Sequence, residues 1–104
     1  MIQFNMITKD KHVSEGIADM MLRGKYTTDL RLEEMVQLEW DEDSQSKKEV
    51  VFFRVTCIMR SLLFATLVHE VTEVYGPEPR MFSFPVIQIE EDWANEVRQK
   101  TRKN

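Results

Sequence analysis

Residues 2–8, IQFNMIT, alternate along the chain, with Ile2, Phe4 and Met6 on one face, the period of a half-buried strand. Asp10 can cap the helix that follows, where Val13, Ile17, Met20 and Met21 recur at helical spacing and Gly24 supplies a stop. The next segment, TTDLRLEEMVQLEW, leans towards strand at both ends. Leu30 and Leu32 are separated from Val36, Leu38 and Trp40 by Glu33 and Glu34, so a bend or bulge is expected at that acidic pair. DEDSQS is turn-like, and KKEVVFFRVT is the clearest strand in the chain.

CIMRSLLFATLVHEVTEVYG, from Cys57 to Gly76, reads as one helix. It is apolar almost all round its first three turns, then polar at His69, Glu70, Thr72 and Glu73. A helix of that kind is covered on more than one side, which in so short a chain points to a second subunit. RMFSFPVIQI reads as a fourth strand, and EEDWANEVRQKTRK as a last helix with acidic residues in its first turn. Pro77, Pro79 and Pro85 bracket the fourth strand, and proline suits strand starts, edges and ends. The pattern leaves open which face Phe84 occupies; in the core, its truncation to alanine would cost about 3–5 kcal/mol.

The order strand, helix, two hairpin strands, helix, strand, helix defines an α+β class. The expected architecture is a ferredoxin-like split βαβ sandwich: a four-stranded antiparallel sheet, two helices on one face, and a short C-terminal helix. The other sheet face is then bare, and such faces or their edges commonly serve oligomerisation.

At 104 residues the chain is expected to form a single domain, residues 1–104. Its net charge of −4 opposes nucleic-acid phosphate, so no nucleic-acid partner is expected. The basic tail VRQKTRKN complements the negative end of the last helix. Cys57 is the single cysteine, which suits a reducing compartment. The most apolar window, CIMRSLLFATLV, is too short to span a membrane and contains Arg60. No signal peptide is visible at the N-terminus, and a cytoplasmic location is expected, without membrane partners.

Candidate chemistry is sparse. HEVTE, from His69 to Glu73, places two ligand types one helical turn apart, but Glu73 stands where a zincin needs its second histidine. It reads as the solvated end of a helix. Glu33, Glu34, Asp41, Glu42 and Asp43 would hold a hard cation only if subunits brought them together, and read as hairpin and edge protection. Three unclustered glycines exclude the usual phosphate loops. Cys57, between a strand and a helix start, reads as a buried structural cysteine, and the methionines as core filler. The expectation is no metal and no cofactor.

Across nearly its whole length the sequence resembles the CutA family, trimeric ferredoxin-like proteins linked by name to divalent-cation tolerance and structurally related to the PII signal proteins. Trp40 is followed by the eight residues DEDSQSKK and then by EVVFFRVT, Glu49 to Thr56, at the family's spacing, with Arg54–Val55 in place of an apolar-Lys pair. In VYGPEPRMFSFPV, Pro79 matches a turn proline and Pro85–Val86 a strand-ending pair. Ile17–Ala18 in VSEGIADMML matches the Ile-Ala of the first helix. The family's Cys-Val-Asn falls on Thr27–Thr28–Asp29, or begins at Asp29, so its cysteine is missing; about two residues are missing before EEMVQLEW; and its turn histidine falls near Val74.

The resemblance implies a non-enzymatic homotrimer with a signalling or scaffold role, binding a small ligand or another protein in clefts between subunits. The interface would include Trp40, Val36, Leu38, Val51 and Phe53. Trp40 would pack on a neighbour or fold onto its own sheet. The alternative is a dimeric ferredoxin-like α/β-barrel enzyme with an apolar pocket, for which His69, Tyr26 and Tyr75 are the candidate polar residues.

Overall fold

A computed structural model describes residues 1–103 of the chain. Strand β1, Ile2–Thr8, leads through Asp10 into helix α1, Lys11–Arg23. The Asp10 carboxylate accepts hydrogen bonds from the His12 and Val13 amides, two of the donors a helix start leaves without partners. The helix ends differently from expectation. Gly24 keeps right-handed geometry at φ −78°, and Lys25 takes the left-handed position at φ 57°.

Strands β2, Arg31–Asp41, and β3, Ser46–Met59, form the hairpin. Their register runs unbroken from Arg31 opposite Thr56 to Asp41 opposite Ser46, so the bulge expected at Glu33–Glu34 does not exist. The acidic pair is accommodated by simple alternation. Glu33 faces Arg54 across the pair on one face of the sheet, and Glu34 lies opposite Phe53 on the other.

The larger departure is at Cys57–Met59. These residues extend β3 rather than starting a helix, because β1 offers them a full ladder: Ile2 opposite Met59, Phe4 opposite Cys57, Met6 opposite Val55. A 3₁₀ turn over Ser61–Leu63 then opens helix α2, Phe64–Tyr75, which ends at Gly76 with φ +73°. The helix is therefore shorter than expected, and among its residues Leu67 and Val71 are the fully buried ones. A helix of this length and burial does not by itself require cover on a second side.

Strand β4, Arg80–Pro85, stops at Pro85, and VIQI after it leaves the ladder apart from one bond from the Val86 amide to the Met1 carbonyl. Pro79 is buried and Pro77 exposed on either side of Glu78. Glu78 fastens this turn: it accepts hydrogen bonds from the Thr8 hydroxyl and the Lys9 amide, while the Asp10 amide donates to the Thr8 hydroxyl. The turn between the prolines is thus tied to the end of β1 and the start of α1.

The four strands lie in the order β2-β3-β1-β4, every neighbouring pair antiparallel. The core comprises Ile2, Phe4 and Met6 of β1, Ile17 and Met21 of α1, Val55, Cys57 and Met59 of β3, and Leu63, Leu67 and Val71 at and in α2, all buried. Helix α3, Glu91–Lys100, carries Glu91 and Asp92 in its first turn and Arg98 and Lys100 in its last, both favourable to the helix dipole. It buries Ala94 and Val97. The chain after it is held by the Arg102 amide donating to the Lys25 carbonyl and by the Arg60 guanidinium donating to the Arg102 carbonyl.

Candidate functional site

The register fixes what projects from this body. Strand β1 reaches β3 only as far as Phe53, which lies opposite Thr8. Beyond it, Met35–Asp41 of β2 and Ser46–Phe52 of β3 pair with each other alone. Seven residues at about 3.4 Å each make a two-stranded ribbon of about 24 Å, which accounts for an elongated molecule of 51 × 30 × 19 Å.

Alternation places Leu32, Val36, Leu38 and Trp40 on the same face as the core residue Val55, with Val51 opposite Val36. On the ribbon no helix of the protomer covers that face. Val36, Leu38, Trp40 and Val51 are between 46% and 61% exposed. Phe53, at the base of the ribbon, is half-buried. It helps line a cleft of about 370 Å³ with Lys11, Ser14, Glu15, Leu32 and Glu34, so it belongs with the others at the edge rather than in their exposed stripe.

The sheet face opposite α1 and α2 is partly bare. Phe82 and Phe84 meet edge to face there, ring centres 5.5 Å apart, and Phe84 lies opposite Gln3 rather than in the core. Its 55% exposure makes it a surface ring of the protomer.

The residues considered for catalysis do not converge. Tyr26 is buried in the core, its ring under the Arg102 guanidinium at 4.7 Å. Its hydroxyl has no hydrogen-bond partner of good geometry among the described residues, and burial, then the neighbouring Glu70, push its pKa up. His69 pairs with Glu73 at 3.3 Å on an exposed stretch of α2. Tyr75 lies over Gly16 of α1, where a Cβ would stand 2.1 Å from its hydroxyl. Three separate environments do not make one active site.

The metal-ligand types fare similarly. Cys57 is buried in β3, not beside a helix start, and burial pushes its thiol up to about 12, which disfavours the thiolate that metals require. Among the described residues no three His, Cys, Asp or Glu side chains gather as a ligand set, so the residues present in one protomer do not fit a resident divalent cation. Sequence reasoning missed a second cleft, about 340 Å³, on the bare sheet face between Arg31, Arg54 and Trp93. Alternation of Arg31 and Glu33 against Thr56 and Arg54 could have revealed it, but the arrival of α3 could not be foreseen.

The sheet order, with two helices packed on one face, defines a ferredoxin-like α+β protein. No protein-family model matches the chain, and no curated protein sequence matches it. Solved structures do, CutA proteins among them. CutA1 of Pyrococcus horikoshii superposes with a TM-score of 0.81 at 18% identity, over 99% of this chain and 100% of that one. CutA1 of Oryza sativa gives 0.80 at 14% identity, over 99% and 94%. The protein described as the periplasmic divalent cation tolerance protein CutA of Archaeoglobus fulgidus gives 0.77 at 18%, over 96% and 98%. At such identities the likeness establishes the fold, and the resemblance read from the hairpin and proline motifs holds at that level. Among the described residues no helix is long and apolar enough to cross a membrane.

Proposed function

We propose that this chain is a divergent CutA protein: a cytoplasmic, non-enzymatic homotrimer with a PII-like role, responding to a ligand or scaffolding a partner through clefts between subunits. The observation that carries this reading is the ribbon of β2 and β3, which holds Val36, Leu38, Trp40 and Val51 out in solvent with nothing behind them. Exposed apolar stripes on a long edge strand are a liability unless another chain covers them. Closed rotational symmetry lets each subunit's ribbon be covered once. The resemblance to the CutA family, described as trimeric, favours three subunits over two.

The name divalent-cation tolerance belongs to those proteins, and among the described residues of this chain no ligand set gathers within a protomer. We therefore place the response in the assembly and its clefts rather than in a bound metal. The dimeric barrel enzyme is not favoured, since Tyr26, His69 and Tyr75 do not share a pocket. Size-exclusion chromatography with light scattering tests the assembly. The expected mass is about 37 kDa, three times the 12.4 kDa chain, at any micromolar concentration. A monomer under those conditions would overturn both the trimer and the cleft-based role.

A further inference from the structure

The short stretch after α3 is held as a bound peptide would be. Thr101 is extended, at φ −112° and ψ 160°. Its buried hydroxyl donates to the Val97 carbonyl at 2.6 Å, which sets the direction in which the chain leaves the helix. The Arg102 amide then donates to the Lys25 carbonyl, and the Arg102 carbonyl accepts from Arg60 Nη1, both at 2.9 Å. Both backbone groups of one residue are thus engaged by distant parts of the chain, the turn after α1 and the residue that follows β3.

The Arg102 side chain turns onto Tyr26. Its guanidinium lies over the ring, 4.7 Å from the centre, and its Nη1 stands 3.8 Å from the Glu70 carboxylate of α2. Tyr26 is fully buried in the core between sheet and helices, and Gly24 leaves it room, since a Cβ there would come within 3.1 Å of the ring. Burial, then Glu70, push up the pKa of the Tyr26 hydroxyl, so one carboxylate acts on both the phenol and the guanidinium. An aromatic face beside a carboxylate suits the flat, weakly hydrated guanidinium better than it suits an ammonium group.

We propose that Tyr26 and Glu70 form a socket for a guanidinium group, filled in cis by Arg102, and that Thr101–Arg102 is a latch whose release frees the connection from α1 to β2. The latch closes on Lys25 and Tyr26, the first residues of that connection, which runs directly to Arg31 at the start of β2. The contacts of a single residue hold it, so it can open locally while the core stays folded. The socket lies on the helix side of the sheet, between α2 and the turn after α1, and covering the bare sheet face leaves it in place.

The test is amide hydrogen exchange by NMR on the full chain. The Lys25 and Tyr26 amides donate to the Leu22 and Met21 carbonyls. In Arg102→Ala both should exchange about tenfold faster or more, while Phe4 and Met6 of β1 keep their rates. Millimolar N-ethylguanidinium chloride should restore slow exchange in that variant, saturably. Ethylammonium chloride at the same concentration should restore much less, and neither should alter the unaltered chain. Adding Glu70→Gln should raise the midpoint of the rescue several-fold. Arg102→Lys, which keeps the charge and loses the planar fork, carries the same comparison if the alanine variant fails to fold. Unchanged exchange at Lys25 and Tyr26, equal acceleration at Phe4 and Met6, or no saturable rescue by ethylguanidinium would each overturn the proposal.

Discussion

Trp40→Ala separates assembly from folding. The indole is 56% exposed in the protomer. For a ring of about 250 Å², that leaves roughly 140 Å² for a neighbour to cover, or up to ~3.5 kcal/mol at about 25 cal/mol per Å². Incomplete coverage brings this to about 2 kcal/mol per subunit, and about 6 kcal/mol for three. A trimer's dissociation midpoint varies as the square root of its dissociation constant, so it should rise about a hundredfold. The protomer should lose less than about 1 kcal/mol, because the residue sits on a ribbon with no helix behind it. Light scattering over a dilution series reads the first quantity. Urea unfolding in the fully dissociated range reads the second. If the variant stays trimeric wherever the natural chain does, or if its protomer loses as much stability as the assembly, the reasoning fails.

Leu67→Ala, at a fully buried position, should cost about 2–5 kcal/mol by denaturant unfolding, whereas Phe84→Ala on the bare sheet face should cost the protomer under about 1 kcal/mol; the reverse order would contradict the placement of β4. Gly16→Ala should be neutral or destabilising, since a Cβ would meet the Tyr75 hydroxyl at 2.1 Å. In a Tyr75→Leu background the same change should stabilise α1 by up to about 1 kcal/mol, and a thermal double-mutant cycle without that sign change would show the contact to be unimportant. Cys57, whose thiol is raised from 9.0 to about 12 by burial, should react with a thiol reagent only as fast as the protein opens. Above pH 9 the unfolded thiol ionises while the folded one does not, so its stabilising contribution is intact below pH 9 and is lost as pH rises towards about 12. Cys57→Ala should flatten that part of the stability curve.

Much of this protein could be read from its sequence because local and global preferences agree. The alternation of Ile2, Phe4 and Met6 marks β1 and names the residues that enter the core. Asp10 caps α1 as its side-chain chemistry dictates, and Pro85 ends β4 because it brings no N–H to a ladder. The resemblance carried by Trp40, the hairpin spacing and Pro79 was sufficient to place the fold. The candidate ribbon was legible too, since Val36, Leu38 and Trp40 alternate towards a turn with no further apolar segment to cover them.

Tertiary pairing decided the rest. CIM is an unbroken apolar run, and periodicity cannot tell a buried strand from the start of a buried helix. The seven residues of β1 settle it, because their N–H and C=O groups need partners on β3 from Phe53 down to Met59. Glu33 and Glu34 suggested a break, but a continuous ladder lets Glu33 meet Arg54 on one face while Glu34 turns to the other. The face taken by Phe84 follows from its position opposite Gln3. The cleft between Arg31, Arg54 and Trp93 exists because α3 brings Trp93 beside the two arginines, more than thirty residues away in sequence. A sequence states which side chains alternate with their neighbours; which distant strand or helix completes a surface depends on register and packing, and these arise only when the elements meet.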